Sequence, residues 1–473
     1  MAVSGLLLTG TELRTHGAGS SALRKGGARP NIIIVIADQW RAQAFGFSGD
    51  RNVKTPHLDR MARESVRFVN AVAGLPVCCP TRASLLTGQR PFTTGVFLND
   101  VPLAPDAVTL SKELRGAGYD TGYIGKWHLN GDGRSNFISP ERRQGFDYWK
   151  ALECTHDYNR SFYYADGPEK LLWKGYDAIA QTEDARQYLE DHSKSGKPFF
   201  LILAWGPPHD PYQTAPQSYR EMYSQEKITL RPNVPEGIQQ TGRERAAGYY
   251  SHCSALDDCF GQLRETLEKT GLEKNTILVF TSDHGDLLGS HGSWNKQQPY
   301  DESIRVPLLM HWPLGLGNKG LRLDAPIGSE DIMPTLIGLC HLPIPNSVEG
   351  IDFSNYVRGG RNPSDNAALI SCVSPFGQWT RKMGGREYRG IRTVRYTYVR
   401  ELKGPWLLFD NQRDPFQLRN LAGLPAFDSL QKKLDFILKQ KLVHAHDTFH
   451  PAEHYISKWG YTVDENGTVP YAP

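Results

Sequence analysis

The sequence predicts an α/β protein with a mainly parallel sheet and helices on both faces, followed by a small C-terminal α+β domain with an antiparallel sheet. The first observation is that continuous apolar runs alternate with amphipathic segments through the first three-quarters of the 473 residues. Strands separated by helices are typical of parallel sheets, because the chain must cross over between neighbouring strands. The second observation is that short strand-like runs at hairpin spacing replace this alternation after residue 342.

The strands of the main domain are predicted from runs of β-branched and other apolar residues. Residues 31–37 (NIIIVIA) form such a run, which is typical of a strand buried on both faces. The same criterion predicts strands at residues 119–124, 199–205, 276–281 and 306–312. Amphipathic segments between them predict helices at residues 109–116, 184–194 and 243–269.

Three segments are predicted from these patterns and from the Gly and Pro content. Residues 1–29, rich in Gly, Ser and basic residues, are expected to be a flexible lead-in, and residues 30–360 form the main domain. Residues 361–473 form the small C-terminal domain. Its strands are predicted at residues 368–372, 388–393, 397–401 and 406–409, and its helix at residues 430–442.

The charge and hydropathy of the chain exclude several classes of partner. Lys and Arg number 54 against 51 Asp and Glu, a net charge of +3, so nucleic acid and anionic membranes are not expected as partners. No apolar run reaches the roughly 18 residues that a transmembrane helix needs. Residues 1–9 carry a short apolar run with no basic residue before it. Either the protein is cytoplasmic, or it is periplasmic or secreted and this sequence lacks its export signal.

Polar clusters follow four of the predicted strands of the main domain. In open parallel sheets the reactive residues gather just beyond the carboxyl ends of the strands. Since these ends meet at one edge of the sheet, the clusters predict a single site. They are Asp38-Gln39, Gly125-Lys126-Trp127-His128, Pro207-Pro208-His209-Asp210 and Asp283-His284-Gly285.

A cysteine motif is the most specific feature of the sequence. Seven cysteines in a chain of this length are not a disulfide scaffold, and their odd number leaves at least one unpaired. Residues 78–88, CCPTRASLLTG, resemble the signature C-x-P-[S/T]-R-x-x-x-x-T-G of type I sulfatases at every fixed position. The resemblance extends from Pro30 to about Ala422. It implies an alkaline-phosphatase-like α/β/α sandwich with residues 30–360 as the catalytic domain. The alternative is a helix start with two buried cysteines.

The resemblance implies that Cys78 is converted to formylglycine, an aldehyde that is hydrated to a geminal diol, by a formylglycine-generating enzyme. One hydroxyl of the diol attacks sulfur, and the other, once deprotonated, expels sulfate and regenerates the aldehyde. Pro80 suits the first turn of a helix. Residue 78 then lies at a helix N-terminus, where partial positive charge favours an anionic adduct. The planar guanidinium group of Arg82 can point toward the same position.

A metal site is predicted from the strand-end clusters. Carboxylate and amide oxygens, with an oxygen of the modified cysteine, favour Ca²⁺ or Mg²⁺, while the imidazole keeps Mn²⁺ or Zn²⁺ open. The resemblance implies calcium. Many family members carry Asp-Asp where this chain has Asp38-Gln39, and Asp-Asn where it has Asp283-His284. Both differences resemble variants seen among carbohydrate sulfatases and phosphonate monoester hydrolases. The predicted ligands are Asp38, Gln39, Cys78, Asp283 and His284.

The resemblance also gives roles to four basic residues. Lys126 matches the lysine that binds the sulfate, and His128 matches the base that deprotonates the second hydroxyl of the diol. His209 and Lys296 resemble the pair that holds the leaving-group oxygen, one of them as general acid. Cations and metal stabilise charge on the sulfate oxygens during transfer. The alternative for His209 and Lys296 is a loop histidine and a solvated surface lysine.

A polar stretch at residues 154–160 lies between two aromatic runs. His156, Asp157 and Asn159 of this stretch are predicted to bind substrate, as inserted loops often do on such a scaffold. A capped turn is an equally weighted alternative.

The sequence therefore predicts a metal-dependent sulfuric ester hydrolase that cleaves an aryl or carbohydrate sulfate ester. Its expected partners are a small-molecule or saccharide sulfate ester and, during maturation, the formylglycine-generating enzyme. One alternative is a phosphonate monoester or phosphodiester hydrolase that uses the same site. The other is a non-catalytic protein in which Cys78 and Cys79 serve metal binding or redox chemistry.

Overall fold

The computed structural model describes residues 29–471 of the chain. The predicted lead-in, with its apolar run at residues 1–9, lies outside the described residues except for Arg29. The strands are β1 (Asn31–Asp38), β2 (Val66–Phe68), β3 (Ala71–Val72), β4 (Asp120–Lys126), β5 (Tyr148–Leu152), β6 (Phe162–Tyr163), β7 (Leu171–Leu172), β8 (Phe199–Pro208), β9 (Thr276–Ser282), β10 (Leu308–His311), β11 (Leu321–Leu323), β12 (Ile327–Gly328), β13 (Ala367–Cys372), β14 (Tyr388–Thr393), β15 (Tyr396–Glu401) and β16 (Gly404–Asp410).

The α-helices vary from single turns to the long α7. They are α1 (Pro56–Glu64), α2 (Cys78–Thr87), α3 (Pro91–Thr94), α4 (Leu110–Gly116), α5 (Asp177–His192), α6 (Gln217–Arg220), α7 (Gln239–Lys269), α8 (Asp301–Ile304), α9 (Pro313–Leu316), α10 (Ile332–Leu339), α11 (Ser354–Val357), α12 (Asp428–His444) and α13 (Ala452–Trp459). Within residues 29–471, no helix combines the length and the apolar character needed to cross a membrane.

The main sheet has eight strands in the order β11-β2-β10-β9-β1-β8-β4-β5. From β9 to β5 every neighbouring pair is parallel, whereas β10 runs antiparallel to both β9 and β2. The predicted mainly parallel sheet is confirmed. Because β1, β4, β8 and β9 run in the same direction, all four end at one edge of the sheet.

Helices cover both faces of this sheet, and β1 shows how the sequence produces the two layers. All eight residues of β1 are buried, and successive side chains point to opposite faces. Ile32 and Ile34 pack in a core with residues of α2, α4 and α10. Ile33 and Val35 pack in a second core with residues of α1, α5 and α7. Burial of each such side chain contributes about 1.5–3 kcal/mol, and the two cores make the predicted α/β/α sandwich.

The small C-terminal sheet is antiparallel, in the order β13-β14-β15-β16, as predicted. Leu369 and Ile391 from this sheet belong to the same hydrophobic core as Ile337 of α10. The C-terminal segment is therefore packed onto the main domain through a common core. The domain boundary at residues 360 and 361 stays a prediction.

A short loop before α8 is tied to the C-terminal segment. The Gln297 side chain donates to the Phe376 carbonyl at 2.8 Å and accepts from the Phe376 backbone N–H at 3.3 Å. The Tyr388 hydroxyl of β14 donates to the carbonyl of Gln297 at 2.9 Å. These three hydrogen bonds fix the backbone next to Lys296.

The predicted elements agree with the observed ones in type, but the first and last residues of several differ. The helix predicted at residues 184–194 begins at Asp177, and the one predicted from residue 243 begins at Gln239. Hydrophobic periodicity identifies the middle of a helix better than its ends. Strands β2 and β11 are absent from the predicted elements, because a strand of three residues carries too short a pattern.

Replacing Gly125 with Ala is expected to lower the free energy of unfolding by roughly 2 kcal/mol or more. Gly125 has φ 105°, and a Cβ at this position would lie 2.0 Å from the carbonyl oxygen of Ala204 on β8. Denaturant unfolding measures the change. Gly116→Ala is the control, because a Cβ there meets nothing within 4 Å. Equal losses in the two variants would contradict the close approach of β4 and β8.

Candidate active site

The polar clusters predicted from the sequence meet at the carboxyl edge of the main sheet, where α2 begins. Asp38 ends β1, Lys126 ends β4, and Cys78 is the first residue of α2. The loops that follow β8 and β9 bring in the remaining clusters. A cavity of about 340 Å³ lies at this edge. The predicted site residues that line it are Cys78, Lys126, His128, His156, His209 and Lys296.

Cys78 is buried and surrounded by charged groups. Its Sγ lies 3.3 Å from Lys296 Nζ and 3.7 Å from Lys126 Nζ. His284 Nε2 lies at 3.3 Å and Asp38 Oδ1 at 3.8 Å from the same sulfur. Burial and the Asp38 carboxylate raise the pKa of the thiol, but the two lysines and the imidazole bring it well below its ordinary value. The position therefore stabilises negative charge on residue 78.

Four buried residues form a group that can hold a metal ion. One ligand atom from each of Asp38, Cys78, Asp283 and His284 lies within 4.8 Å of the others. Two carboxylates and an imidazole are a donor set that divalent cations accept. Burial, together with the repulsion from Asp38, raises the pKa of Asp283, and a cation would offset that repulsion. The residues present therefore fit a divalent metal.

The two carboxylates also depend on cations of the chain itself. Arg82 Nε donates to Asp283 at 3.1 Å, and its Nη2 donates to Asp38 at 3.3 Å. Lys126 Nζ donates to Asp38 at 2.5 Å. Burial raises the pKa of Asp38, but Lys126 and the nearby basic groups bring it well below its ordinary value. Arg82 and Cys78 are four residues apart on α2, so they share one face of the helix.

Gln39 borders this group, and its side chain has other partners. Its Oε1 accepts from Lys296 Nζ at 3.2 Å, and its Nε2 donates to Asp286 at 2.7 Å. Its backbone N–H donates to Asp283 at 3.0 Å, from a conformation with φ 69°. Metal ligation by Gln39 therefore stays a prediction.

His209 and Lys296 form a pair beside Cys78. Lys296 Nζ lies 3.0 Å from His209 Nε2, and His209 Nδ1 lies 2.9 Å from the carbonyl oxygen of Asp210. Burial and Lys296 lower the pKa of His209 to about 3. The neutral imidazole accordingly accepts from the ammonium through Nε2 and donates to the carbonyl through Nδ1.

The imidazole of His128 is oriented by an acidic residue, Asp100. Its Nε2 lies 3.1 Å from Asp100, and Asp100 receives two hydrogen bonds of 2.8 Å from Arg134. The Arg134 guanidinium lies 3.6 Å from the ring centroid of Tyr471. His128 Nδ1 has no hydrogen-bond partner within residues 29–471. The ring is thus oriented through one nitrogen, while the other nitrogen is unpaired.

Of the three predicted substrate-binding residues, only His156 lines the cavity. Its ring stacks on that of His209 at 4.9 Å between centroids. Asp157 forms an ion pair within its own loop, and Asn159 donates to the carbonyl of Thr214 at 2.9 Å. The structure therefore brings His156 to the site, whereas Asp157 and Asn159 are bonded elsewhere.

Part of the cavity wall comes from the C-terminal segment, which sequence analysis did not predict. Phe376, Gln378, Thr468 and Tyr471 line it. Gln378 Oε1 has no hydrogen-bond partner in the part of the chain that the structure describes. No local pattern marks these residues. Asp286, by contrast, had a detectable signal, since it follows Asp283 within the same polar cluster.

Comparison with protein families identifies the chain. A family model described as Sulfatase matches residues 30–342, and one described as N-sulphoglucosamine sulphohydrolase, C-terminal, matches residues 289–444. The chain belongs to the sulfatase family. The family implies a divalent metal and a formylglycine residue, and the buried group at Asp38, Cys78, Asp283 and His284 is consistent with the former.

Individual relatives of this sulfatase agree with the family. It is 45% identical over 450 residues to an ulvan-active sulfatase of Formosa agariphila, an alignment that covers 94% of this chain and 87% of the relative. A solved structure from Bacteroides fragilis, assigned as the sulfatase yidJ, is similar with a TM-score of 0.82 at 30% identity. That match covers 92% of this chain and 99% of the other. The predicted activity, sulfuric ester hydrolysis, is confirmed at this level.

The phosphorus-ester alternative is supported only by distant likeness. A phosphonate monoester hydrolase of Agrobacterium radiobacter is similar with a TM-score of 0.70 at 21% identity, covering 94% of this chain and 100% of the other. Identity at that level shows the fold alone. The comparisons thus favour the sulfatase over the hydrolase of phosphonate esters.

Proposed function

We propose that this sulfatase hydrolyses the sulfate ester of a saccharide, with residue 78 as a formylglycine made by a formylglycine-generating enzyme. The observation that carries the proposal is the convergence of two lysines, an imidazole and a carboxylate on the side chain of Cys78. The Sγ of Cys78 stands where the oxygens of the modified side chain would lie. Hydrated formylglycine supplies a nucleophile that is regenerated after each turnover.

A divalent metal, with Ca²⁺ as the first choice, is proposed at Asp38, Asp283, His284 and residue 78, with Gln39 as an additional ligand. When bound, such a cation stabilises negative charge on the sulfate oxygens. The two buried carboxylates favour a divalent cation at this position, because hard cations prefer oxygen ligands. Mg²⁺, Mn²⁺ and Zn²⁺ are the other candidates.

The proposed roles of the other side chains follow from their contacts. Lys126 faces Cys78 from one side and binds the sulfate, while Arg82 orients the carboxylates of Asp38 and Asp283. His128 accepts a proton through Nδ1, the nitrogen that has no partner within residues 29–471. The ring is held for this step by Asp100 at the opposite nitrogen.

The leaving-group oxygen is proposed to lie next to the pair of His209 and Lys296. Since burial and Lys296 keep His209 neutral, the ammonium of Lys296 carries the proton that the departing oxygen needs. His209 accepts from this ammonium at 3.0 Å and so directs it toward residue 78. This assigns the general acid to Lys296 and its orientation to His209.

A saccharide is proposed as the leaving group because the cavity wall is polar and aromatic. His156, Gln378, Thr468 and Tyr471 supply hydrogen-bonding groups and two rings around about 340 Å³. Ligand sites in proteins combine aromatic side chains with a small number of polar groups that fix the orientation of the ligand. The likeness to an ulvan-active relative supports a sulfated saccharide of the ulvan type.

Replacing Cys78 with Ala is expected to abolish turnover, with a loss of at least about 10⁴-fold, because the nucleophile is removed. The matched control is Cys79→Ala at the neighbouring buried thiol, which is expected to stay active. The mass of the tryptic peptide containing residue 78, from a host with a formylglycine-generating enzyme, checks the modification. Activity in a protein whose Cys78 is an unmodified thiol would contradict the proposal.

Removal of divalent metal by a chelator is expected to lower the thermal unfolding midpoint, and re-addition to restore it. Saturation at 100 times Kd stabilises a folded protein by about 2.7 kcal/mol. Unfolding is followed by scanning fluorimetry with Ca²⁺, Mg²⁺, Mn²⁺ and Zn²⁺ in turn. Asp283→Asn is expected to remove most of the response. Asp258→Asn serves as the control, since Asp258 belongs to a second possible metal group, with His57 and Asp257, outside the catalytic cavity. A midpoint that ignores chelator and metal would refute the site.

Replacing Gln378 with Leu is expected to raise KM for a sulfated oligosaccharide about tenfold while kcat changes little. The reason is that an amide near the proposed sugar loses its hydrogen bonds. An aryl sulfate without hydroxyl groups is the control substrate, for which KM is expected to stay constant. An equal loss on both substrates would show that Gln378 does not recognise the sugar.

A further inference from the structure

A second cavity, of about 410 Å³, lies on the β2–β10 side of the main sheet and shares no lining residue with the catalytic cavity. Four arginines contribute to its wall: Arg67, Arg305, Arg322 and Arg392. Neither the mechanism nor the family motif uses any of them. Its function therefore has to be inferred from its own charges.

Two of these arginines face each other across neighbouring strands. Arg67 of β2 and Arg322 of β11 are directly paired in the register of the two parallel strands. Side chains at paired positions lie on the same face, and like charges at such positions destabilise a sheet. Burial and the proximity of Arg322 lower the pKa of the Arg67 guanidinium. A bound anion would attract both guanidinium groups and so offset their repulsion.

The carboxylates around the cavity do not balance the guanidinium groups. Asp301 accepts two hydrogen bonds from Arg392, at 2.9 and 3.1 Å, and one from Arg305 at 3.3 Å. Asp324 accepts from the exposed Arg322 at 3.1 Å. There are thus two carboxylates for the guanidinium groups of four arginines, so the cavity has a net positive charge.

Arg67 is the guanidinium that carries this excess. Its Nη1 donates to the carbonyl of Phe47 at 3.2 Å, and it forms no ion pair with a carboxylate within residues 29–471. Its central carbon lies 5.3 Å from the ring centroid of Phe47. The remaining N–H groups of a planar fork match the oxygens of a tetrahedral oxyanion.

Arg305 adds a second unsatisfied group to the same wall. Its Nη2 donates to the carbonyl of Val69, but its buried Nε has no partner in the part of the chain that the structure describes. A buried donor without a partner costs about 1–3 kcal/mol. An acceptor bound in the cavity that Arg67 and Arg305 both line would relieve this cost.

We propose that this cavity is a second anion site, which binds an oxyanion of the sulfate or phosphate type, either free or carried by a sugar. The inference is independent of the proposed function, because it rests on residues outside the catalytic cavity. Its geometry points to the forked face of Arg67 as the main contact and to Arg322 as the second cation.

Equilibrium dialysis of the full chain with radiolabelled sulfate at low ionic strength counts the sites directly. We expect two sites per chain, one in each cavity. Arg67→Gln is expected to weaken one of them at least about tenfold, the loss typical of a hydrogen-bonded charge. Arg322→Gln, at an exposed position, is expected to weaken the same site without risk to the fold. Hydrolysis of a small aryl sulfate should be unchanged in both variants.

The control is Arg358→Gln, another arginine that is bonded to backbone carbonyls and packed on an aromatic ring, but outside both cavities. Competition is measured in Cys78→Ala protein, which is expected not to hydrolyse the competitor, for the label that Arg67→Gln loses. Displacement of this label by a sulfated monosaccharide more readily than by phosphate would identify a sugar-borne anion, and the reverse order a free one. The proposal is overturned if wild type, Arg67→Gln and Arg322→Gln bind sulfate with equal number and affinity. If the catalytic cavity does not bind sulfate, the wild type has only one site, and Arg67→Gln still weakens it.

Discussion

Two buried carboxylates, Asp38 and Asp283, set the constraint on which the rest of the site depends. A buried charge is tolerated only when opposite charge lies beside it. Arg82 contacts both carboxylates and Lys126 contacts Asp38, so strands β1, β4 and β9 and helix α2 must meet at one point. The same requirement leaves room for a divalent cation. The fold is thus held at this edge by ion pairs that include Lys126, the proposed ligand of the sulfate.

The main-chain conformation at this edge is unusual in a consistent way. Gln39, His128, Asn295 and Gln297 all have positive φ, and each is a predicted site residue or adjoins one. Non-glycine residues adopt this region at an energetic cost that the surrounding structure must offset. Here tight hydrogen bonding of the turns does so, as in the three bonds that join Gln297 to the C-terminal segment. Lys296 is thereby directed inward from between two such residues.

The C-terminal segment contributes to function as well as to packing. It shares the hydrophobic core of the main domain and closes one side of the catalytic cavity with Gln378 and Tyr471. Asp38, Cys78 and Lys126, which carry the proposed sulfate chemistry, lie at strand ends and in α2, whereas this segment adds wall residues beyond them. Arg392 of β14 also lines the second cavity, where the anion site is proposed. The segment therefore lines both cavities for which ligands are proposed.

The sequence by itself determined the α/β class, the central strands, and the motif from Cys78 to Gly88, because these depend on residues close together in the chain. Four strand ends carrying polar clusters also sufficed to predict one site, since parallel strands end at one edge. Only the tertiary structure decided which side chains meet there. The partners of Gln39, the wall formed by Gln378 and the pairing of Arg67 with Arg322 join residues far apart in the chain. Such contacts arise from packing, which no local pattern records.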